Sequence, residues 1–568
     1  MKHKNMNETI SIAPSLDGRA YDPEKTAVDK TISGRLFYLT IQAVINAFII
    51  GLIAKVLVLL INLITNISFY GKFSIAEASP AHNTLGLWVI FIPIIGSIII
   101  GIMARLGSAA IRGHGIPEAM EQVLTNESRI KPVITILKPL SAAISIGTGG
   151  PFGAEGPIIS TGGAFGSFAG QIMRISPNER KIMLTAGATA GMAAIFGTPV
   201  AAVLLAIELL LFEFSPKSII PVAMACATGT AMHLWLFGSG PVFPMPGLSA
   251  PTGQALIWYI IGGAIIGVLA ALVSKSIYAV EDLFEKLPIH WMWWPAIGAI
   301  AIGVTGYFAP YTLGVGYNNI TALLSGSLPL KMVLGLCFLK FISWSVSLGS
   351  GTSGGTLAPL LTIGGATGIL FGMIVLHFFP ESQINLPTCA LIGMAAMFAG
   401  AARALLTAVI FAYEVTMQPY GLLPLLGACS ASYFVSFFLM KGSIMTEKIQ
   451  RRGVATPNSY EPDALQQLNV SDAMAAATQE DENIDTAVYI YPTAKLNQAV
   501  ELLSTYSLAV LPVLNPANNT LIGIVTPQTI FNAYTEFRQA GDRYQQVISI
   551  KRRRNKLLVR SKKIFNQK

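Results

Sequence analysis

The chain has 568 residues, of which 53% are apolar and only 12% charged, about half the charge of an average soluble protein. With a mean hydropathy of +0.59, this excludes a soluble globular domain, a disordered chain and a collagen-like fibre, and makes an integral membrane protein the default. The net charge of +9 is unevenly spread: residues 36–446 carry 17 Lys/Arg and 13 Asp/Glu, while the last 122 residues carry 15 and 11, so an apolar body bears a polar C-terminal extension.

In chain order, residues 1–32 read as a polar cytoplasmic leader, too polar and acid-containing for a secretory signal. The apolar stretch 36–67 is long enough for one tilted span. Further apolar stretches follow at about 87–106, 131–146, 186–212, 218–237, 253–280, 292–309, 331–348, 357–378, 387–416 and 420–440. Several are too short or too rich in Gly and Pro to span alone. In lipid, irregular backbone survives only where protein buries it or where it lines a cavity, so broken helices meeting inside the membrane are expected. Cys226, Cys337, Cys389 and Cys429 lie in this body without CxxC or metal-ligand spacing and read as small apolar fillers.

An internal repeat organises the body. Residues 141–157 align without gaps on 343–359 at an offset of 202, and the match continues from 156–166 to 358–368. The same offset joins GMAAIF at 191–196 to GMAAMF at 393–398, and an offset of 201 joins Gly113-His114-Gly115 to Gly314-Val315-Gly316. Paired Gly/Pro interruptions in the two halves point to a substrate site at their interface.

Three loops carry the chemistry. In Gly153-Ala154-Glu155-Gly156-Pro157 a carboxylate sits between glycines at the start of an apolar helix. A charge buried in a membrane is costly and marks a functional site. The glycines let backbone N–H groups turn toward one point, and a helix N-terminus beside them favours an anion. Glu155 is itself an anion able to fill such a place, so it competes with a transported anion, and protonation releases it: a gate. The alternative is a Glu near the membrane surface that caps a helix. Gly113-His114-Gly115-Ile116-Pro117 exposes N–H groups in the same way, and His114 either contacts the anion or caps a helix. The third loop, residues 354–359, is the repeat partner of the Glu155 loop. Its Thr356 and Leu357 N–H groups are expected at the same point, with Leu357 in the place of Glu155. No nucleophile–base pair, metal cluster or Walker-type phosphate loop accompanies these loops, which argues for anion passage and against an enzyme or a cofactor.

These motifs resemble the signatures of the CLC family of chloride channels and proton-coupled anion transporters. GSGIP, G(K/R)EGP and GxFxP correspond to 113–117, 153–157 and 355–359, in the family's order, and the match covers about 36–450. The resemblance implies a homodimer with one pore per subunit. It also implies two inverted halves per subunit, a central anion held by helix N-termini, and Glu155 as the external gating glutamate. It thus places anion binding at His114, Gly115, Ile116, Gly153, Ala154, Gly156, Thr356, Leu357 and Met445, with chloride as the ligand.

The departures from the pattern are specific. His114 stands where the family has an anion-coordinating Ser, and Met445 where it has the central Tyr. Leu357 replaces the signature Phe, and Ala154 removes a positive charge before the gate. Leu209, beside Glu208, stands where proton-coupled members carry an internal proton-transfer acid, and a leucine carries no proton. This favours channel-like or uncoupled transport. The alternative is a proton/chloride antiporter that reaches Glu155 through His114 or Glu208.

After residue 450 the order is helix, strand, turn, strand, helix, which resembles a CBS motif. Thr529 stands where a ribose-binding Asp is often found, which argues against an adenosine nucleotide there. The basic run within 551–563 contains no acid and suits anionic lipid or solvent better than nucleic acid. The expected whole is an α-helical polytopic membrane protein with two inverted repeats and broken helices, followed by a small α/β CBS-like cytoplasmic domain. Its parts are a leader at 1–32, a transport domain at 33–450, the CBS-like domain at 451–545 and a basic tail at 546–568. A bacterial inner membrane with both termini cytoplasmic is the expected location.

Overall fold

The computed structural model describes residues 23–456, 465, 468–477, 487–516, 518 and 520–547. Of the expected leader at 1–32, residues 1–22 lie outside the described residues, as does the basic run at 551–563, while 23–32 belong to the first helix. The chain forms two compact units, residues 1–457 and 458–568.

Among the described residues the first unit is built of helices and the loops that join them. Its first half comprises α1 (Pro23–Tyr70), α2 (Phe91–Leu106), α3 (Ile116–Thr125), α4 (Ile134–Gly147), α5 (Glu155–Ile172), α6 (Pro177–Phe196), α7 (Pro199–Leu205) and α8 (Pro216–Leu236). The second half comprises α9 (Gly253–Glu285), α10 (Trp294–Phe308), α11 (Tyr317–Leu324), α12 (Leu330–Leu334), α13 (Lys340–Gly349), α14 (Leu357–Phe378), α15 (Leu386–Ala402), α16 (Leu405–Thr416) and α17 (Leu422–Leu439), closed by the short α18 (Glu447–Arg451). Seven segments among the described residues are long and apolar enough to cross a membrane, from Gly34–Tyr70 to Pro419–Leu439.

Two expected spans are broken. Residues 186–212 split at Gly197, which takes a left-handed φ of 62°, followed by Thr198 and Pro199. Residues 387–416 split at the equivalent place, where Arg403 has φ 57°. Glycine and proline announce the first break in the sequence. The second rests on tertiary contacts: the Arg403 guanidinium donates to the Met440 carbonyl at 2.6 Å and the Lys441 carbonyl at 3.1 Å.

The duplication extends to packing. α5 lies on α6 and α6 on α8, while α14 lies on α15 and α15 on α17; α1 meets α8 as α9 meets α17. Each central crossing is a backbone contact between glycines. A Cβ on Gly162 would strike the Gly187 carbonyl, and one on Gly364 would strike the Gly393 carbonyl. Small residues let helices approach this closely in lipid, where van der Waals packing replaces the hydrophobic drive. α5, α6, α14 and α15 are buried along most of their length, whereas α1 and α9 turn exposed apolar side chains outward, including Phe48, Val56, Ile265 and Leu272. Cys226, Cys389 and Cys429 are buried in this packing, Cys337 is partly exposed, and all four are free thiols.

The two halves are related by inversion. The repeat-equivalent residues Gly153 and Gly355 pair with each other in antiparallel fashion, Gly153 N–H to Gly355 O at 3.4 Å and Gly355 N–H to Gly153 O at 3.1 Å. Equivalent residues exchange bonds in this way only across a local two-fold axis.

In the second unit, the strands β1 (Ala475–Ala476), β2 (Leu511–Leu514) and β3 (Leu521–Val525) form an antiparallel sheet in the order β1-β3-β2. The helices α19 (Leu496–Thr505) and α20 (Pro527–Val547) flank β2 and β3 in sequence, giving the expected helix–strand–turn–strand–helix order. Val470, Ile490, Leu496, Leu503, Leu511, Val513, Val525 and Ile530 form its small core. The Thr529 hydroxyl donates to the Thr526 carbonyl at 3.0 Å and the Thr529 N–H donates to the Thr526 hydroxyl at 3.2 Å, so this side chain helps start α20.

Candidate functional site: a carboxylate at a helix N-terminus

The three glycine loops are laced together. Gly113 N–H donates to Thr352 O at 2.9 Å and Gly354 N–H to Gly113 O at 3.4 Å, beside the reciprocal Gly153–Gly355 pair. A Cβ on Gly115, whose φ is 96°, would strike the Gly156 carbonyl, and one on Gly156 would strike the His114 carbonyl. Only glycine allows this approach.

Two fully buried lysines, which the sequence reading missed, hold the loops from behind. Lys138 Nζ on α4 donates to the carbonyls of Ile111 and Gly113, both at 2.8 Å. Lys340 Nζ, at the start of α13, donates to the carbonyls of Thr312 and Gly314, both at 3.2 Å. The two lysines stand 202 positions apart and their acceptors 201, the two offsets of the repeat. Within one trans peptide the C=O and the following N–H point in opposite directions. Holding the carbonyls of Gly113 and Gly314 therefore turns the N–H groups of His114 and Val315 the other way. A lysine within an apolar stretch, duplicated at the offset of the loops, was the available sequence signal.

Glu155 opens α5 and is wholly buried. Its Oε1 accepts from the Ala358 N–H at 2.6 Å, and its Oε2 accepts from the Tyr317 hydroxyl at 3.3 Å. Ala358 lies in the first turn of α14, whose leading N–H groups have no partner within the helix. The carboxylate thus occupies the place an anion would take at the N-terminus of a 22-residue helix. It folds back over Gly153, where any Cβ would collide with it. Ala154, which precedes it at the N-cap of α5, and Leu357, the first residue of α14, are both buried. Thr356 and Leu357 were the expected donors on this helix; the Leu357 N–H also serves the carboxylate, and the contact at 2.6 Å comes from the next residue, Ala358.

The second loop departs from expectation in one detail. The Gly115 N–H donates to Glu118 Oε2 at 2.6 Å in a capping arrangement for α3, so it is committed to a carboxylate of its own helix. Lys448 Nζ in turn donates to Glu118 Oε1 at 3.0 Å. Ile116, the first residue of α3, is buried. His114 is 4% exposed, and neither its Nδ1 nor the buried Thr356 hydroxyl finds a hydrogen-bond partner among the described residues. Met445 is fully buried, with its N–H on the Ser443 hydroxyl at 3.2 Å.

Leu209 is buried in a π-helical turn that continues α7. The neighbouring Glu208 accepts from Leu406 N–H at 3.0 Å, Thr407 N–H at 2.9 Å and the Thr407 hydroxyl at 2.6 Å, capping the start of α16. Glu414, on α16, returns the favour to α7: it accepts from Val200 N–H at 3.0 Å and Ala201 N–H at 2.9 Å. Each carboxylate thus caps the short helix that carries the other.

Two cavities approach the loops. One of about 960 Å³ is lined by Arg105, Arg112, Glu118, Gly351, Lys448 and Arg452 among others. Another of about 710 Å³ reaches Ala154, Gly316 and Tyr317. The first touches the loop of Glu118 and the second the loop of the gate. Among the described residues no group of three or more His, Cys, Asp or Glu could hold a metal ion.

Comparison with known proteins is consistent with this geometry. Residues 95–437 match the family model described as voltage gated chloride channel, and residues 483–536 match the CBS domain. An H(+)/Cl(−) exchange transporter ClcA of Yersinia pestis is 31% identical over 340 residues, covering 58% of this chain and 70% of the relative. The chloride channel protein CLC-e of Arabidopsis thaliana is 27% identical over 430 residues, 69% of this chain and 59% of that protein. Among solved structures, a slow cyanobacterial Cl−/H+ antiporter superposes with a TM-score of 0.64 at 24% identity, covering 73% of this chain and 99% of the other. A CLC-type fluoride/proton antiporter gives 0.56 at 22% identity, covering 71% and 96%. At these identities the structural likenesses speak for the fold.

Proposed function

The chain belongs to the voltage-gated chloride channel (CLC) family of membrane anion transporters, and from that premise we propose that it conducts chloride or another small anion without proton coupling, gated by Glu155. One observation carries the gate: the Glu155 carboxylate sits on the Ala358 N–H, the donor an anion needs at the head of α14. A transported anion and the carboxylate cannot share that donor. Protonation removes the carboxylate's charge and with it the charge-assisted part of the bond, so the side chain yields to the anion.

The absence of coupling rests on the other end of the path. Leu209 carries no proton, and both oxygens of Glu208 are bound to donors on α16, which supports a structural role for that carboxylate. Reconstitution in liposomes with an imposed chloride gradient, recording chloride and pH together, tests this. Chloride flux without proton movement is expected; chloride that drives protons uphill overturns the uncoupled reading.

One observation favours the second reading, proton/chloride exchange. The buried His114 Nδ1 without a partner is a protonatable atom in the loop next to the gate, and curated relatives are named exchange transporters. Under exchange, His114→Ser abolishes the coupled proton movement; under uncoupled conduction it leaves none to abolish.

The protein is further read as a homodimer in a bacterial inner membrane, with cytoplasmic termini and a basic tail near anionic lipid. Light scattering on the chain truncated after residue 450 checks the assembly: a dimer is expected, and a monomer would give that role to the extension.

A further inference from the structure

Beyond the family's pattern of donors, one hydroxyl reaches the gate from an unexpected quarter. Tyr317 is the first residue of α11 and follows Gly314 and Gly316, which take φ values of 68° and 77°. This loop is the repeat partner of the His114 loop. Its carbonyls at Thr312 and Gly314 are held by Lys340, so the start of α11 is fixed in place. The Tyr317 ring packs in a triangle with Phe196, centroids 5.8 Å apart, and Phe243, at 5.7 Å, which meet each other at 6.2 Å; Phe196 is itself backed by Phe411 at 5.0 Å. A ring locked into an aromatic cluster has little freedom to swing, so the hydroxyl is aimed. It donates to Glu155 Oε2, while the Ala358 N–H serves Oε1. The carboxylate therefore takes donors from both α11 and α14.

Tyr317 also lines the cavity of about 710 Å³ that reaches Ala154. The hydroxyl stands where that cavity meets the gate. Positions 114 and 445, which hold His and Met, offer no hydroxyl to an anion. We propose that Tyr317 is the latch of the gate and, once Glu155 has left, a direct ligand of the small monovalent anion that takes its place. This rests on the reading of Glu155 as the gate. The same two donors, the Tyr317 O–H and the Ala358 N–H, hold the carboxylate in the closed state and the anion in the open one. The competition between carboxylate and anion is then for a pair of donors of fixed geometry.

The test uses the full chain in liposomes at one fixed pH, with chloride as the probe and four forms: wild type, Tyr317→Phe, Glu155→Gln and the double variant. Phenylalanine keeps the ring and its packing and removes only the hydroxyl. A hydrogen bond to a charged group, taken at the lower end of its range because this contact is long at 3.3 Å, supports an effect of roughly tenfold. Tyr317→Phe is expected to raise chloride flux over wild type by about that factor, because the latch is lost. With the gate already released in Glu155→Gln, adding Tyr317→Phe is expected to give no further rise in flux. It is expected instead to weaken chloride binding, read by isothermal titration calorimetry in detergent, by a similar factor. A role confined to packing would not produce this split between flux and affinity. If Glu155→Gln leaves flux at the wild-type level, the gate itself fails and the latch falls with it. If Glu155→Gln raises flux while Tyr317→Phe changes neither flux nor chloride affinity, the gate stands and the latch is overturned.

Discussion

The two halves of the membrane body share one scaffold and divide one task. Each half has a glycine loop held by a buried lysine, a helix starting beside the shared Gly153–Gly355 pair, and a short helix capped by a glutamate of the other half. At the head of α5 stands Glu155; at the head of α14, in the equivalent position, stands Leu357. One half supplies the plug and the other the seat. The lesson is that inversion symmetry builds the place where helix N-termini converge, and a single asymmetric substitution turns that place into a gate. Two carboxylates there would repel each other in a buried site, and none would leave the donors open to any anion.

The sharpest way to break the asymmetry is to neutralise the plug. Glu155→Gln removes the charge from the seat while keeping the side-chain volume. Losing about 2 kcal/mol of charge-assisted bonding corresponds to roughly a thirtyfold rise in flux at alkaline pH. The pH response should flatten with it, because the carboxylate holds the seat only when ionised. Flux measured across a pH series checks this, and an unchanged curve would remove Glu155 from the mechanism.

The lysine pair tests whether the scaffold is as symmetric in energy as it is in form. Lys138→Met and Lys340→Met each remove two hydrogen bonds to buried carbonyls, of which the Gly113 carbonyl keeps the Gly354 N–H, at a cost of about 2 kcal/mol that the removal of a buried charge partly offsets. The Lys138 contacts are shorter, 2.8 Å against 3.2 Å, so its loss should lower the melting temperature in detergent more. Equal shifts would mean that the difference in geometry carries no energy.

The reciprocal caps give a smaller effect. Glu208 accepts from three donors and Glu414 from two. Charge–dipole and capping terms are worth about 1 kcal/mol at a helix start, so Glu208→Gln should destabilise by roughly that amount and Glu414→Gln by somewhat less. Chloride flux should hold near wild type in both. If Glu208→Gln instead abolished a proton current, the carboxylate would be a relay and the uncoupled reading would fall.

The smallest change is expected from His114→Ser, which restores the neutral hydroxyl that the family places there. Chloride affinity should move by about threefold or less, the effect of one neutral hydrogen bond, read by calorimetry. A larger gain would show that His114 obstructs the anion.

Much of this was legible before any coordinates. Composition declared the membrane, because 12% charge cannot coat a soluble body of this size. The repeat offset paired the loops, and the lone acid between glycines singled out Glu155. These signals are local: each lies within a few consecutive residues or in a comparison of two short strings. Other features were beyond that reach. The 2.6 Å donor to Glu155 is Ala358, 203 positions away, and the latch Tyr317 is 162 positions away. The Gly115 N–H, read as an anion donor, belongs to Glu118, whose carboxylate is steadied by Lys448, 330 positions further on in the chain. The break at Arg403 carries no glycine or proline and depends on the carbonyls of Met440 and Lys441. The sequence by itself determined which groups are costly to bury and where the backbone can bend. The tertiary structure alone decided which distant donor satisfies each buried group, because hydrogen-bond partners are chosen by proximity after packing and leave no trace in local periodicity.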